Sequence, residues 1–306
     1  MNVAITGACG LLGAHVAAAL SARHRVVGFD RHPWWGSRPI ELHEGDLADP
    51  HARRAFLAEA KPDLLVHCAA LANVDECEKR PGDAYFVNGT LSGLIAREVP
   101  RECRVVYVTT DGIFRGDTPM RSETDVPCPR TVYGRSKLHG EWETQLATGN
   151  HVIVRTNFYG WSAGNKVTSG EWLYRALETG ESITLFDDFW FTPIYVVDLV
   201  ERLLALAAGA QTGTFHVVGG ERVSKHEFGV RLAAAAGLST GRVNRGSIAA
   251  AALLAPRPRD MSLSSAKVDA LLGRPAPACA SGLSRFIADR GRPLEERFEA
   301  VSASID

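Results

Sequence analysis

Three glycines near the N-terminus, in the segment TGACGLLG, constrain the fold of this 306-residue chain more than any other feature. Gly7, Gly10 and Gly13 stand between a short apolar run, NVAITG, and a helix-like run, LLGAHVAAALSA. In this spacing the first glycine permits a tight turn from strand to helix, the second lets a pyrophosphate approach the backbone, and the third lets the helix lie close to the sheet. The segment therefore predicts a dinucleotide-binding βαβ unit, with Leu11 and Leu12 at the helix start that faces the phosphates.

Apolar runs alternate with helix-like segments over the first 160 residues. Predicted strands include RVVGFD, ELHEGDL, PDLLVHCAA, CRVVYVTTD and HVIVRTNFYG; predicted helices include PHARRAFLAEA, PGDAYFVNGTLSGLIAREV and TVYGRSKLHGEWETQLA. Strands that are apolar throughout and alternate with helices imply a parallel sheet covered on both faces. We therefore expect an α/β fold, a doubly wound Rossmann-type parallel sheet with a smaller C-terminal substrate-binding region.

The change in pattern along the chain predicts its division. Residues 1–160 are expected to form the dinucleotide-binding domain. Residues 161–290, where irregular pieces interrupt the alternation, are expected to form mainly the substrate-binding region, with crossings back to the sheet. Residues 291–306 are expected to form a charged C-terminal tail.

Charge and composition narrow the class of ligand. The chain has 34 Lys and Arg against 35 Asp and Glu, which argues against a basic nucleic-acid-binding face and favours a small-molecule partner. Six scattered cysteines, without a CxxC pair or zinc-like spacing, indicate free thiols in a reducing compartment, and no metal site is predicted. With no signal-peptide pattern and no apolar run of about 18 residues, a cytoplasmic protein that does not associate with membranes is expected.

The ends of the predicted strands supply further cofactor-binding candidates, because ligands of a doubly wound sheet lie at the carboxyl ends of its strands. Asp30 ends the second strand, where an acid bonds the adenosine ribose and favours NAD. Arg31 follows at once and is able to pair with a 2′-phosphate, which favours NADP, so the choice between NAD and NADP stays open. The other candidates at these strand ends are Asp46, Leu47, Cys68, Ala69 and Ala70.

A tyrosine and a lysine four residues apart, Tyr133 and Lys137, would project from one face of a helix. An ammonium group close to a phenol favours the phenolate, so the lysine is expected to lower the pKa of Tyr133 from its ordinary value of about 10. The tyrosine is then able to exchange a proton with a substrate oxygen while hydride moves to or from carbon. Thr109, Thr110 and Asp111 end the fifth strand and supply the hydroxyl that is needed beside it.

These motifs, together with HCAALANVDECE, FVNGT, TTDGIF, FTPIYVVDL, GTFHVVGGE and RPRDMSLSSAKVDALLG, make the chain resemble the extended short-chain dehydrogenases/reductases. Within that branch it is most similar to the dTDP-4-dehydrorhamnose reductases, from Met1 to about Gly273. The resemblance implies an NAD(P)H-dependent reductase of a nucleotide-linked 4-keto-6-deoxysugar. It also implies that Tyr133 is the general acid, that Lys137 tunes it and bonds the nicotinamide ribose, and that Thr110 holds the carbonyl oxygen.

The same resemblance implies roles for residues outside the tyrosine–lysine pair. Asn88 would help to order the cofactor side, and Thr109 and Thr156 would lie at the nicotinamide. The implied substrate-binding residues are Val74, Asp75, Thr110, Asp111, Phe158, Trp190, Thr192, Arg257 and Arg259, the last four at the nucleotide diphosphate.

Departures from the family pattern leave several functions open. Gly112 stands where the reductases usually have a tyrosine, and the acidic pair of the related dehydratases is absent, which argues against a dehydratase. One alternative is a non-catalytic NADP-binding regulatory subunit, since GTFHVVGGE and RPRDMSLSSAK also resemble the methionine adenosyltransferase β-subunit. The others are a nucleotide-sugar epimerase and a reductase of a non-sugar ketone. A nucleotide sugar is the expected partner, and a homodimer is left open.

Overall fold

The computed structural model describes residues 1–298 except residues 163, 165, 252 and 253. Strands and helices alternate over its first half. The strands are β1 (Asn2–Thr6), β2 (Arg25–Asp30), β3 (Glu41–Glu44), β4 (Leu64–His67), β5 (Arg104–Thr110), β6 (His151–Thr156), β7 (Phe158–Tyr159), β8 (Ile183–Phe186), β9 (Trp190–Phe191), β10 (Ile194–Tyr195), β11 (Gly213–His216), β12 (Val223–Ser224) and β13 (Val243–Gly246). The helices are α1 (Leu11–Leu20), α2 (Pro50–Ala60), α3 (Val74–Lys79), α4 (Pro81–Tyr85), α5 (Leu91–Glu98), α6 (Val132–Ala147), α7 (Ser169–Thr179), α8 (Val196–Ala208), α9 (Lys225–Ala236), α10 (Ala266–Leu272) and α11 (Cys279–Ala288).

The central sheet has the strand order β11-β6-β5-β4-β1-β2-β3, and all of its neighbouring strands run parallel. Strand β1 lies between β2 and β4, so the direction in which the chain winds reverses beside β1. In such sheets, ligands bind at the carboxyl ends of the strands next to this reversal. The predicted α/β fold with a doubly wound parallel sheet is confirmed.

Apolar side chains cover both faces of this sheet. Along β1, Val3 and Ile5 join a core cluster with α1 and α8, whereas Ala4 joins a second cluster with α2 and α5. This division follows from the alternation of side chains along a strand. All residues of β4 and β5 are buried, as expected for strands with helices on both sides.

One predicted helix differs from the observed structure. The segment PGDAYFVNGTLSGLIAREV forms α4, a π-helical turn at Phe86–Thr90 and then α5. Asn88 lies in the π turn with its side chain fully buried. Its amide accepts a hydrogen bond from Leu71 N at 2.8 Å and donates to Leu71 O at 3.1 Å. These bonds to a distant loop accompany the departure from regular α-helix, a change that helical periodicity does not reveal.

The C-terminal half contributes to the sheet and packs against its first helix. Strand β11 lies beside β6 and forms one edge of the central sheet. Arg297 donates to Trp161 O at 3.2 Å and contacts His15 Nε2 of α1 at 3.1 Å. The division of the chain at residue 160 stays a prediction, and residues 299–306 of the predicted tail lie outside the described residues. In the part of the chain that the structure describes, no helix has the length and apolarity needed to span a membrane.

Helix α6 packs on the sheet through small residues and a buried ion pair. A Cβ atom added at Gly140 would collide with Asn88 O and the Tyr107 hydroxyl, so only glycine permits this approach. One turn beyond Lys137, Glu141 accepts a hydrogen bond from Arg155 of β6 at 2.7 Å, and both side chains are buried.

We expect Glu141→Leu to lower the free energy of unfolding by about 3 kcal/mol, because it leaves the Arg155 charge buried without its partner. Glu143 on the same helix pairs with the more exposed Arg97, so Glu143→Leu should cost less than about 1 kcal/mol. Urea unfolding measures both values. Equal losses in the two variants would contradict this difference between the pairs.

Candidate active site

The glycine loop, residues 7–13, connects β1 to α1 with little free space. Gly7 has φ +68, and a Cβ atom there would lie 2.8 Å from Ala69 N. A Cβ atom at Gly13 would collide with Gly7 O. No side chain caps the start of α1, where Gly10 is the N-cap and Leu11 and Leu12 are the first helical residues. The helix therefore offers uncapped N–H groups beside a glycine-lined surface, which suits an anionic phosphate.

Asp30 and Arg31, which gave opposite predictions for the cofactor, have different hydrogen-bond partners. The Asp30 carboxylate accepts from Cys9 N at 2.9 Å and from Arg31 N at 2.7 Å, so it fastens the glycine loop to the end of β2. The exposed Arg31 guanidinium pairs with Asp46 at 2.6 Å. This pairing lowers the pKa of Asp46. Arg31 would have to leave Asp46 in order to meet a 2′-phosphate.

The end of β4 lies next to the glycine loop. Cys68 N donates to Thr6 O at 3.0 Å, Ala69 faces Gly7, and Ala70 is exposed. Burial raises the pKa of the Cys68 thiol to about 12. Leu47, another predicted cofactor residue, is buried in the core cluster with α2 and α5.

Two threonine hydroxyls at the ends of β5 and β6 are buried without partners. Thr109 Oγ1 and Thr156 Oγ1 find no hydrogen-bond acceptor or donor among the described residues. The two strands are neighbours, and Thr109 pairs in register with Arg155, next to Thr156. Because an unsatisfied buried hydroxyl is costly, these atoms indicate a polar ligand at this edge of the sheet. The glycine loop and the two hydroxyls together fit a dinucleotide.

The tyrosine–lysine pair lies at the start of α6, beside the end of β5. Thr131 caps the helix by accepting from Gly134 N at 3.0 Å. Tyr133 is half-buried, whereas Lys137 is buried, donates to Val108 O at 2.7 Å and lies 4.2 Å from the centre of the Tyr107 ring. Burial lowers the pKa of Lys137 to about 7, partly opposed by Glu141.

The electrostatic environment of Tyr133 differs from the expectation. Its pKa is raised, first by burial and then by the charge of Asp111, while the hydroxyl of Thr110 lowers it in part. The sequence argument for a lowered pKa was wrong, because the spacing of Tyr133 and Lys137 did not reveal that the phenol is enclosed beside the Asp111 carboxylate. Tyr133 is held as a neutral phenol.

Thr110 and Asp111 form a buried hydrogen-bonded group with Asn157. Thr110 Oγ1 donates to Asp111 Oδ1 at 3.0 Å and accepts from Gly112 N at 3.0 Å. Asn157 Nδ2 donates to Asp111 Oδ2 at 2.6 Å. Burial raises the pKa of Asp111 to about 6, and the bonds from Asn157 and Thr110 reduce the rise.

A cavity of about 450 Å³ opens beside Tyr133. Its walls are mostly apolar and aromatic, with polar groups concentrated at a few points. The apolar lining residues are Val74, Phe158, Tyr159, Trp172, Leu173, Leu185, Phe186, Phe189, Phe191, Phe228, Ile248, Pro258 and Met261. The polar ones are Thr131, Tyr133, Asn157, Ser169, Thr184, Lys225 and Arg257, and Gly112 and Gly170 complete the wall.

The structure brings some of the predicted substrate residues together. Val74, Phe158 and Arg257 line the cavity. Asp75 lies behind this wall and pairs with Arg257 at 3.0 Å, although the two residues are 182 positions apart.

The other predicted substrate residues lie apart from the cavity. The Trp190 ring packs against the guanidinium of Arg222 at 4.0 Å, and its backbone N donates to Arg259 O at 2.8 Å. The Arg259 side chain is exposed. Thr192 is fully buried and its hydroxyl accepts from Leu263 N at 3.2 Å, so it holds two segments of chain together.

Comparison with known proteins places the chain in a family. Residues 1–291 match the family described as "RmlD substrate binding domain". The chain belongs to this family. Its resemblance to the dTDP-4-dehydrorhamnose reductases, predicted from the motifs, is thereby confirmed.

Two relatives and one solved structure are similar to this chain over most of its length. The chain is 32% identical over 290 residues to the "probable low-salt glycan biosynthesis reductase Agl14" of Haloferax volcanii, covering 93% of this chain and 96% of the relative. It is 28% identical over 299 residues to the methionine adenosyltransferase 2 subunit beta of Rattus norvegicus, covering 90% and 84%. A dTDP-4-dehydrorhamnose reductase from Bacillus anthracis, solved in complex with NADP, superposes with a TM-score of 0.84 at 27% identity, covering 94% of this chain and 98% of that chain.

Several cavity residues of this RmlD-family chain were not predicted. Lys225 and Asn157 supply polar groups, and Phe189, Phe191 and Trp172 supply aromatic walls. Asn157 lies in HVIVRTNFYG, which was predicted as a strand, and Phe189 and Phe191 lie in the aromatic sequence DDFWF. Nothing in the spacing of Lys225 connected it to the site, since it follows Ser224 as an ordinary first residue of α9.

Asp111 should give the protein a measurable pH dependence. Because the pKa of Asp111 in the folded protein is raised above its ordinary value of 3.8, its contribution to stability is fully present below about pH 4 and is lost as the pH rises through 6. The wild type, compared with Asp111→Asn, should therefore lose about 3 kcal/mol of relative stability between pH 4 and pH 7.5. Urea unfolding of both proteins at the two pH values measures this, and a pH-independent difference would contradict it.

Proposed function

We propose that this protein is an NAD(P)H-dependent reductase of a nucleotide-linked 4-keto-6-deoxysugar. The observation that carries the proposal is the position of the Tyr133 phenol, which lies in the cavity wall next to the Thr110 hydroxyl and one helical turn before the buried Lys137. The sequence prediction of an NAD(P)-dependent oxidoreductase is confirmed at the level of the family, whose structural neighbour from Bacillus anthracis was solved with NADP.

Tyr133, Thr110 and Lys137 have separate roles in the proposed reduction. Reduced nicotinamide at the carboxyl end of the sheet supplies the hydride for the carbonyl carbon. Tyr133 donates its proton to the carbonyl oxygen, so that the ketone becomes a secondary alcohol. Thr110 donates to the same oxygen in place of Asp111, and Lys137 stabilises the phenolate that proton transfer leaves behind.

Lys137 is placed to respond to the charge that proton transfer creates. A phenol is neutral at pH 7 even at its ordinary pKa of about 10, and the raised pKa of Tyr133 makes it a weak acid until a cation stabilises the phenolate. The buried ammonium of Lys137 becomes most favourable once the phenolate appears, because an opposite charge in a dry site is strongly stabilised.

The first test is oxidation of NADPH and NADH with a panel of nucleotide-linked 4-keto-6-deoxysugars. Tyr133→Phe should lower kcat by about 10²- to 10⁴-fold, because it removes the proton donor, while NADPH binding stays within about threefold. Tyr85, at the surface on α4, offers a matched control, since Tyr85→Phe should keep wild-type kcat. Absence of turnover with the whole panel, despite cofactor binding, would refute the proposal.

A regulatory subunit is the second candidate, and the similarity to the methionine adenosyltransferase 2 subunit beta over 90% of this chain favours it. Such a protein would bind the dinucleotide without turning over any member of the panel. It would also co-purify in a stoichiometric complex with a methionine adenosyltransferase catalytic chain and change the kinetics of that enzyme.

The pairing of Arg31 with Asp46 leads to a prediction on the choice of cofactor. We expect Asp46→Asn to lower the KM for NADPH by about threefold, because it frees an exposed arginine from a weak ion pair. The KM for NADH should not change, since NADH has no 2′-phosphate. Steady-state kinetics with both cofactors measures the ratio, and an equal effect on both would show that Arg31 does not meet the phosphate.

A further inference from the structure

Lys225 presents a positive charge to the cavity. It is the first residue of α9, after the cap Ser224, and its backbone N donates to Phe189 O at 3.0 Å. The side chain lines the cavity, with Nζ 3.6 Å from the centre of the Phe191 ring and 5.4 Å from that of Phe189. An aromatic surface attracts the ammonium group but accepts no full hydrogen bond from it.

The ammonium of Lys225 has three N–H donors and no acceptor within hydrogen-bond distance among the described residues. The other buried or cavity-facing cations of the site are satisfied: Lys137 donates to Val108 O, and Arg257 pairs with Asp75. Burial lowers the pKa of Lys225 to about 8, and Asp111 opposes that shift. The Lys225 side chain is half-buried at the cavity wall, where a ligand would supply the acceptors that the described residues do not.

The position of Lys225 indicates which part of a ligand would supply the acceptor. Lys225 lines the same cavity as Tyr133 and Asn157, and Asn157 donates to Asp111, the residue after Thr110. Lys225 also interacts electrostatically with Asp111, but the hydrogen bonds to the Asp111 carboxylate come from Thr110 and Asn157. The acceptor therefore belongs to the part of the ligand near the reacting carbon.

We propose that Lys225 is a substrate-binding residue that donates a hydrogen bond to a hydroxyl oxygen of the ketosugar ring, and so selects a sugar over a plain ketone. The inference rests on the proposed function, since it requires a nucleotide sugar in the cavity. The aromatic rings of Phe189 and Phe191 hold the lysine at the wall, and the apolar surface around it leaves few competing acceptors for its N–H groups.

Calorimetric titration with dTDP and with dTDP-rhamnose, each in the presence of NADP⁺, tests this without turnover. Lys225→Met should weaken dTDP-rhamnose by about tenfold, because it removes a charged hydrogen bond, and should leave dTDP unchanged. Lys225→Arg, which keeps a charged donor, should stay within about threefold for both ligands. Lys267 also lies over an aromatic ring, Phe215 at 4.3 Å, but outside the cavity, so Lys267→Met should match the wild type.

Three results would overturn the inference. Equal weakening of dTDP and dTDP-rhamnose would place the contact at the diphosphate. Wild-type affinity of Lys225→Met for both ligands would show that the lysine makes no contact. A wild-type protein that binds NADP⁺ but neither ligand would remove the proposed function as well, so the two failures are distinguishable. Thermal unfolding of Lys225→Met with retained dTDP affinity verifies that the variant is folded.

Discussion

The attachment of α6 to the sheet is the constraint on which the rest of the site depends. Lys137 donates to Val108 O of β5, and Glu141, one turn further along, pairs with Arg155 of β6. A buried charge is tolerated only with its partner in place, so these contacts penalise any rotation or sliding of the helix. Gly140 lets the helix come close enough for both contacts to form. Tyr133, in the first turn, is thereby fixed beside the end of β5.

Burial is the common cause of the electrostatic pattern around this helix. It lowers the pKa of Lys137 and raises the pKa values of Asp111 and Tyr133, so each of the three groups is pushed toward its neutral form. Each of these groups is therefore neutral over a wider pH range than it would be in water. A low dielectric also strengthens the attraction between opposite charges that lie close together, so these groups interact more strongly with a nearby charge than they would in water.

The parts of this site that the sequence predicted are specified by residues close together along the chain. The prediction of β1 and the glycine loop follows from the consecutive residues 2–13, and that of α6 follows from the spacing of Tyr133 and Lys137. The raised pKa of Tyr133 was not predicted, because it depends on the burial of the phenol and the spacing of residues does not show burial. The π turn around Asn88 was not predicted, because its contact with Leu71 joins two separate segments of the chain. The cavity wall was not predicted for the same reason, since Lys225 and Trp172 lie on different helices that share no motif.

The residues at the ends of the sheet strands and the residues of the cavity wall also differ in where the fold places them. Tyr133 and the threonine hydroxyls lie on α6, β5 and β6, whose geometry the parallel sheet fixes. Most of the cavity wall comes instead from residues 157–258 and Met261, in short strands, loops and helices outside the centre of the sheet, and such segments change with less cost to the core. Gly112 lies in this wall, where an added Cβ atom would have Thr110 and Met261 as its nearest neighbours, at 3.3 Å and 3.5 Å. The glycine therefore leaves space in the cavity that a larger side chain would fill. The relatives of this chain include a named reductase and a methionine adenosyltransferase subunit, so the cavity wall is the part of the chain whose side chains have to be compared when its ligand is sought.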